Sequence, residues 1–221
     1  MIHSQEIHDR DIKNAVNFRI GDNPSILNCI HDNEVNIAIY ERDISAFANE
    51  LTHLHDEHVE FKSSGTIESI VNDAREVMNP TKYPLLIRDI SQLLSYFKEA
   101  TEVNNFRLLL ATVNTNMCRR FHTDVNDLRM LSTYSGPGTL WLTDDNINRV
   151  ALNDCSDDVS MVIDESRIQQ AATGAVVSLK GAIYPQLETE AVVHRSPTIE
   201  ESGEKRLLLR IDTNESLNLW R

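Results

Sequence analysis

The chain has 221 residues, 41% hydrophobic and 25% charged, with 34 acidic against 21 basic side chains and a net charge of −13. That length suits one domain, and such a charge repels phosphate backbones, which argues against nucleic acid as a main partner. No window approaches the roughly 18 uninterrupted apolar residues of a membrane span, and the start, Met1-Ile2-His3-Ser4-Gln5-Glu6, lacks a signal-peptide core, so the expected setting is cytoplasmic with no membrane partner.

Residues 1–34 are polar and poorly periodic and read as an irregular N-terminal arm; residues 35–221 read as one domain. Alternation over 35–40 predicts a strand. Asp43 is the candidate N-cap of a first helix, with Phe47, Leu51 and Leu54 on one side. His53, His55 and His58 follow. Neighbours on a helix face are three or four apart, so the cluster reads as a solvated helix end sooner than a metal site. A short strand near 59–61 precedes a helix over 67–78, stopped by Asn79-Pro80. The stripe Leu86, Ile90, Leu93, Leu94 and Phe97 predicts a longer helix to about residue 103.

From residue 105 the texture changes to short strands: 106–113, 128–134, 140–142, 174–179, 191–194 and 205–212. Between them lie the turn Gly136-Pro137-Gly138, an acidic solvated insertion over 143–160 and a short helix over 165–172. A helical part over 43–103 followed by a β core over 105–213 is an α+β order, with a sheet sandwich or barrel covered on one side by helices.

Three cysteines, Cys29, Cys118 and Cys155, form no C-x-x-C pair and read as reduced thiols. Cys118 lies four residues before His122, where it packs or approaches a metal. The motif that carries chemistry is His122-Thr123-Asp124. An imidazole and a carboxylate two apart on an extended segment point to one side. His194, at the end of an apolar strand, offers a third ligand. Two His and one carboxylate on one face of an octahedral ion is the set used by non-haem Fe(II) oxygenases. One H-x-D step is close to what chance supplies in a chain with 8 His, so its weight comes from the strands around it. Read alone, His194 is a core histidine, and Arg206 and Arg210 are strand-flanking cations. No G-x-S-x-G, H-E-x-x-H or G-x-G-x-x-G step is present.

The phrases Cys118-Arg119-Arg120-Phe121-His122-Thr123-Asp124, Leu131 to Leu142 around Gly136-Pro137-Gly138, His194-Arg195-Ser196-Pro197 and Arg206-Leu207-Leu208-Leu209 resemble the bacterial family called domain of unknown function 1826, over about residues 35–213. In pattern the order H-x-D, strand-borne His, strand with Arg also resembles the iron- and 2-oxoglutarate-dependent dioxygenases. That resemblance implies a double-stranded β-helix (jelly roll) in the C-terminal half, with the N-terminal helices packed on one sheet. It implies Fe(II) held by His122, Asp124 and His194, which are also the catalytic residues. It implies 2-oxoglutarate held by a basic residue on the strand after the distal His: Arg206 first, then Arg210, with Tyr134 and Arg129 as further contacts. An Arg suits the task because its planar fork grips a carboxylate with two parallel hydrogen bonds. The expected activity is hydroxylation or demethylation of a small-molecule or protein substrate. Two alternatives stand beside it: a non-enzymatic metal-binding or metal-homeostasis protein, with Zn in place of iron, and a cupin-like binding module.

Overall fold

The computed structural model describes residues 17–116, 118–153, 161–185 and 190–213. The first elements correct the expected arm. Phe18–Gly21 is a strand (β1), and Pro24–His31 is a 3-10 turn whose N-cap, Asn23, accepts a hydrogen bond from the Ser25 backbone. Leu27 and Ile30 of that turn are fully buried. Its eight residues are too short a run to show a sustained 2.0 or 3.6 period. Residues 1–16, the rest of the expected arm, lie outside the described residues.

β2 (Ile37–Tyr40) leads into a 3-10 turn at Ser45–Phe47 and α1 (Ala48–Asp56). Asp43 accepts from the Ser45 backbone at 2.7 Å, just ahead of the 3-10 turn, and does not cap the α-helix, whose N-cap is Phe47. His53 and His58 are exposed around the end of α1; the side chain of His55 lies outside the described set. β3 (Glu60–Gly65) and α2 (Ile67–Val77, capped by Thr66) follow. α3 (Pro84–Thr101) starts with proline at its first turn, where no backbone donor is needed. Its first free N–H groups, on Leu85 and Leu86, donate to the Glu50 carboxylate at 2.9 Å each. The predicted stripe on α3 is buried throughout.

The β half comprises β4 (Phe106–Val113), β5 (Leu128–Ser135), β6 (Leu140–Trp141), a short α4 (Arg149–Asn153), β7 (Gln169–Gln170), β8 (Val176–Lys180), β9 (His194–Arg195) and β10 (Arg206–Thr213). The expected helix over 165–172 is instead a 3-10 turn at Glu165–Arg167 followed by β7, because residues 169–170 pair with β6. The expected strand over 191–194 shortens to its last residue and the next, Arg195. Residues 154–160 of the acidic insertion, and with them Cys155, lie outside the described residues.

The chain is therefore mixed α+β, with a seven-stranded sheet in the order β1-β2-β8-β5-β10-β4-β3 and a three-stranded sheet in the order β7-β6-β9. Pleating sorts the large sheet's side chains onto two faces. Ala38, Met130, Tyr134, Val176, Leu207, Leu209 and Ile211 join α2, α3 and the 3-10 turn in one core. Ile37, Ile39, Leu131, Val177 and Leu179 face the other way and form a second core with Trp141 of the small sheet. The Gly-Pro-Gly turn is tight: Gly136 has φ +79°, and a Cβ there would sit 2.2 Å from the Lys205 carbonyl oxygen. That close approach lets β5 end against the start of β10, beside Arg206.

Candidate metal centre

His122 and His194 face each other as an isolated antiparallel bridge. Each donates its backbone N–H to the other's carbonyl at 3.0 Å. Trp141 pairs with His194 on its other side. Asp124 sits two residues on, its carbonyl accepting from Ala182 N at 2.8 Å, so the turn after β8 pins it. The sequence predicts an extended H-x-D step, and the backbone holds it so. One ligand atom from each of His122, Asp124 and His194 lies within 4.8 Å of the other two; among the described residues this is the one such group of three or more.

The ring orientations select the ligand atoms. His122 Nδ1 lies 2.9 Å from the Arg120 carbonyl oxygen, and His194 Nδ1 lies 3.3 Å from that of Val192. A carbonyl only accepts, so each Nδ1 carries the proton and each Nε2 is left for a metal. Both Nε2 atoms approach the Asp124 carboxylate, His122 at 3.5 Å and His194 at 3.3 Å. Bonds of about 2.1 Å at right angles put neighbouring ligands roughly 3 Å apart, close to the two His–Asp separations here.

The groups of the trio shift one another's protonation. His122 is raised to about 10, first by its hydrogen bond to Asp124 and then by one with the Cys118 thiol. Burial alone would raise Asp124. Its hydrogen bonds to His122 and His194 and the charge of Arg129 outweigh that and hold it well below the usual carboxylate range. The thiol of Cys118 is lowered, first by the same bond to His122. Cys118 thus touches one of the candidate ligands.

The four residues expected to contact 2-oxoglutarate separate. Arg206 is buried, at 1% exposure. One of its terminal nitrogens donates to Thr133 at 3.1 Å and Thr139 at 3.4 Å, while its Nε has no partner. No carboxylate pairs with it among the described residues, and burial pushes it down to about 10. Thr139 lies two residues before Trp141, the neighbour of His194, so Arg206 faces the side of the sheet that carries the metal centre. The buried Nε1 of Trp141 also lacks an acceptor there.

Tyr134 does not join this set, which corrects the expectation. It points to the helical face, where its hydroxyl donates to Asp89 at 2.5 Å. Asp89 in turn holds Arg42 through two bonds, of 2.5 and 2.9 Å. Position 134 is an odd number of residues from Arg129, Leu131 and Thr133, which face the site, so the pleat turns it away. Arg129 is also not an open anion clamp. It bridges Asp124 at 2.5 Å and Asp212 at 2.6 Å. Arg210 reaches the other oxygen of Asp212 at 3.1 Å. Sequence reasoning missed Asp212 and the chain Asp124–Arg129–Asp212–Arg210. The only available signal was opposite charge on two strands, which means nothing until register is known.

The profile of a family described as "Protein of unknown function (DUF1826)" matches residues 21–212. The chain belongs to the DUF1826 family. No curated protein matches it. Among solved structures, this DUF1826 chain is similar to a rice dioxygenase for auxin oxidation, at 11% identity and a TM-score of 0.54, over 89% of this chain and 82% of that one. It also matches a Pseudomonas putida prolyl-4-hydroxylase, at 8% identity and a TM-score of 0.44 over 86% and 96% of the two chains. A third match is a full-length Neurospora crassa protein in complex with alpha-KG, at 11% identity and a TM-score of 0.42 over 90% and 84%. At such identities the rice enzyme speaks to the fold alone, and the other two carry no weight. No helix among the described residues is long and apolar enough to cross a membrane.

Proposed function

We propose that this DUF1826 protein is an Fe(II)/2-oxoglutarate-dependent oxygenase, a hydroxylase or demethylase, whose two sheets are those of a jelly roll. The observation that carries the reading is the pairing of two features on one sheet face. One is a His-Asp-His set with both Nε2 atoms turned to a carboxylate. The other is a buried arginine whose Nε is unpartnered and which has no acid of its own among the described residues. A protein that only stored metal would need the first feature and gain nothing from the second. An unpaired guanidinium at 1% exposure is costly, and an incoming carboxylate offsets that cost.

In this reading His122, Asp124 and His194 would hold Fe(II). Arg206 binds the carboxylate of 2-oxoglutarate that is remote from the metal, and Thr133 and Thr139 keep its guanidinium in place. Bound there, iron with 2-oxoglutarate and O₂ supplies a two-electron oxidation of the substrate, 2-oxoglutarate leaving as succinate and CO₂. Arg129 fixes the Asp124 carboxylate, anchored in turn by Asp212. The apolar residues around Trp141 exclude water from the inner wall. The Nδ1 bonds to Arg120 and Val192 keep the two imidazoles in one tautomer.

The direct test is Fe(II)-dependent formation of succinate from 2-oxoglutarate in air without added substrate. Slow succinate release by the wild-type chain, absent from a folded His122→Ala variant, is the expected result. No succinate with Fe(II) bound would turn the reading to metal binding without oxidation.

A further inference from the structure

On the sheet face that carries the metal centre, side chains directly opposite one another form a row across four strands: Ser64, Arg107, Asp212 and Arg129. One pleat away, a second row runs Lys62, Leu109, Arg210, Leu131. The Arg129 end bonds the metal ligand Asp124. The other end opens as a cavity of about 270 Å³ whose lining includes Lys62, Ser64, Arg107, Leu109 and Arg210.

Charge in this cavity is reversed from that of the whole molecule. The chain carries −13, yet three cations converge here. Lys62 pairs with Glu60, but both side chains are largely exposed, at 68% and 51%; such a pair is worth little and exchanges readily. Arg210 shares Asp212 with Arg129, so one carboxylate serves two guanidinium groups. Arg107, half-buried, has no carboxylate partner among the described residues. Asp124, which also acts on Arg210, belongs to the metal in the oxygenase reading, and Asp73 is turned to Ser63. The pocket is therefore short of negative charge, and Leu109 gives it an apolar floor.

We propose that this pocket binds the anionic group, a carboxylate or a phosphate, of a small-molecule substrate whose reacting carbon is presented to the metal centre. The role of the metal centre rests on the oxygenase reading above; the anion site itself does not. Adjacent strands lie about 4.8 Å apart, so Arg107 stands two spacings, roughly 10 Å, from Arg129. A substrate of that reach spans anion site and metal. Arg206, buried at the far end of the same strand, remains for 2-oxoglutarate, so the two anions have separate arginines. The pocket's size and the acidic charge of the chain around it favour a small anion over a polyanion strand.

The test uses the metal-free wild-type chain and two variants, Arg107→Ala and the double variant Lys62→Ala/Arg107→Ala. Each is titrated with inorganic phosphate, with butyrate and with a single-stranded oligonucleotide, followed by amide chemical shifts. Expected are shifts at Ser64, Arg107, Leu109 and Arg210 in the wild-type chain on adding phosphate or butyrate, whichever binds more tightly naming the group. Affinity falls at least tenfold in Arg107→Ala and further in the double variant. The Fe(II)/2-oxoglutarate absorption band stays unchanged in both variants. Anion binding at these amides without that band would leave the pocket standing and sink the oxygenase reading. Three results overturn the pocket: no shifts there, shifts equal in the double variant, or an oligonucleotide bound through the same residues more than tenfold more tightly than phosphate.

Discussion

Asp124 is held from three sides: His122 at one oxygen, His194 and Arg129 at the other. Its rotamer is set before any ion arrives, and Arg129 does the setting through its second bond, to Asp212. Partners that orient a ligand typically govern 10- to 100-fold in metal affinity. Arg129→Gln should therefore weaken Fe(II) or Zn(II) binding by about that factor, read by competition with a chelating dye, while circular dichroism stays native. An unchanged affinity would mean the bond is incidental. His122 gives a second expectation. Held near 10 by Asp124 and then Cys118, it is protonated at pH 7 in the metal-free chain. A metal takes only the neutral ring. Binding at pH 7 should release close to one proton, and affinity should rise with pH until about 10. Calorimetry in buffers of different ionisation enthalpy counts that proton; a count of zero contradicts the assignment of His122 as ligand. In the metal-free chain the same shift stabilises the fold fully below the unfolded value of 6.5 and ceases to do so as pH rises through about 10.

β5 shows how an element divides labour. Its residues alternate between the metal side, Arg129, Leu131 and Thr133, and the helical side, Met130, Ser132 and Tyr134. Composition and alternation locate the strand, but two buried faces leave no polar-out signature to say which residues face the site. The expectation for Tyr134 fails for that reason. Its hydroxyl, with Asp89 and Arg42, ties β5 to α3 and to the segment after β2. Tyr134→Phe should cost about 1 kcal/mol of stability and leave the 2-oxoglutarate affinity unchanged. Asp89→Ala strands the buried Arg42 and should cost roughly 3–5 kcal/mol. Urea denaturation measures both. A Tyr134→Phe variant with wild-type stability but weak 2-oxoglutarate binding would restore Tyr134 to the cofactor site. The helices are the most legible elements, because α3 buries one continuous stripe. The β1 segment and the 3-10 turn after it are not, since a four-residue strand and a single eight-residue turn are too short to show a period.

At the scale of the molecule, the order of helices followed by strands points to the α+β class, and the phrases around His122, Gly136, His194 and Arg206 point to the family. The clustering of the candidate trio is legible because H-x-D is local and His194 ends an apolar run. Arg206 is legible as a cation on the last strand, but its burial without an acid is not, since that depends on how β10 lies between β4 and β5. Long-range register decides such facts, and one sequence does not contain it in readable form. The central claim is that the trio and Arg206 serve one cofactor pair. Anaerobic titration with Fe(II), then 2-oxoglutarate, followed by visible absorption, tests it most directly. The account predicts a weak band near the green that appears only when both are present. In Arg206→Ala it should require about 10- to 150-fold more 2-oxoglutarate, the loss of one charge-assisted contact of roughly 1.5–3 kcal/mol. Iron bound without the band, or a band indifferent to Arg206, would contradict it.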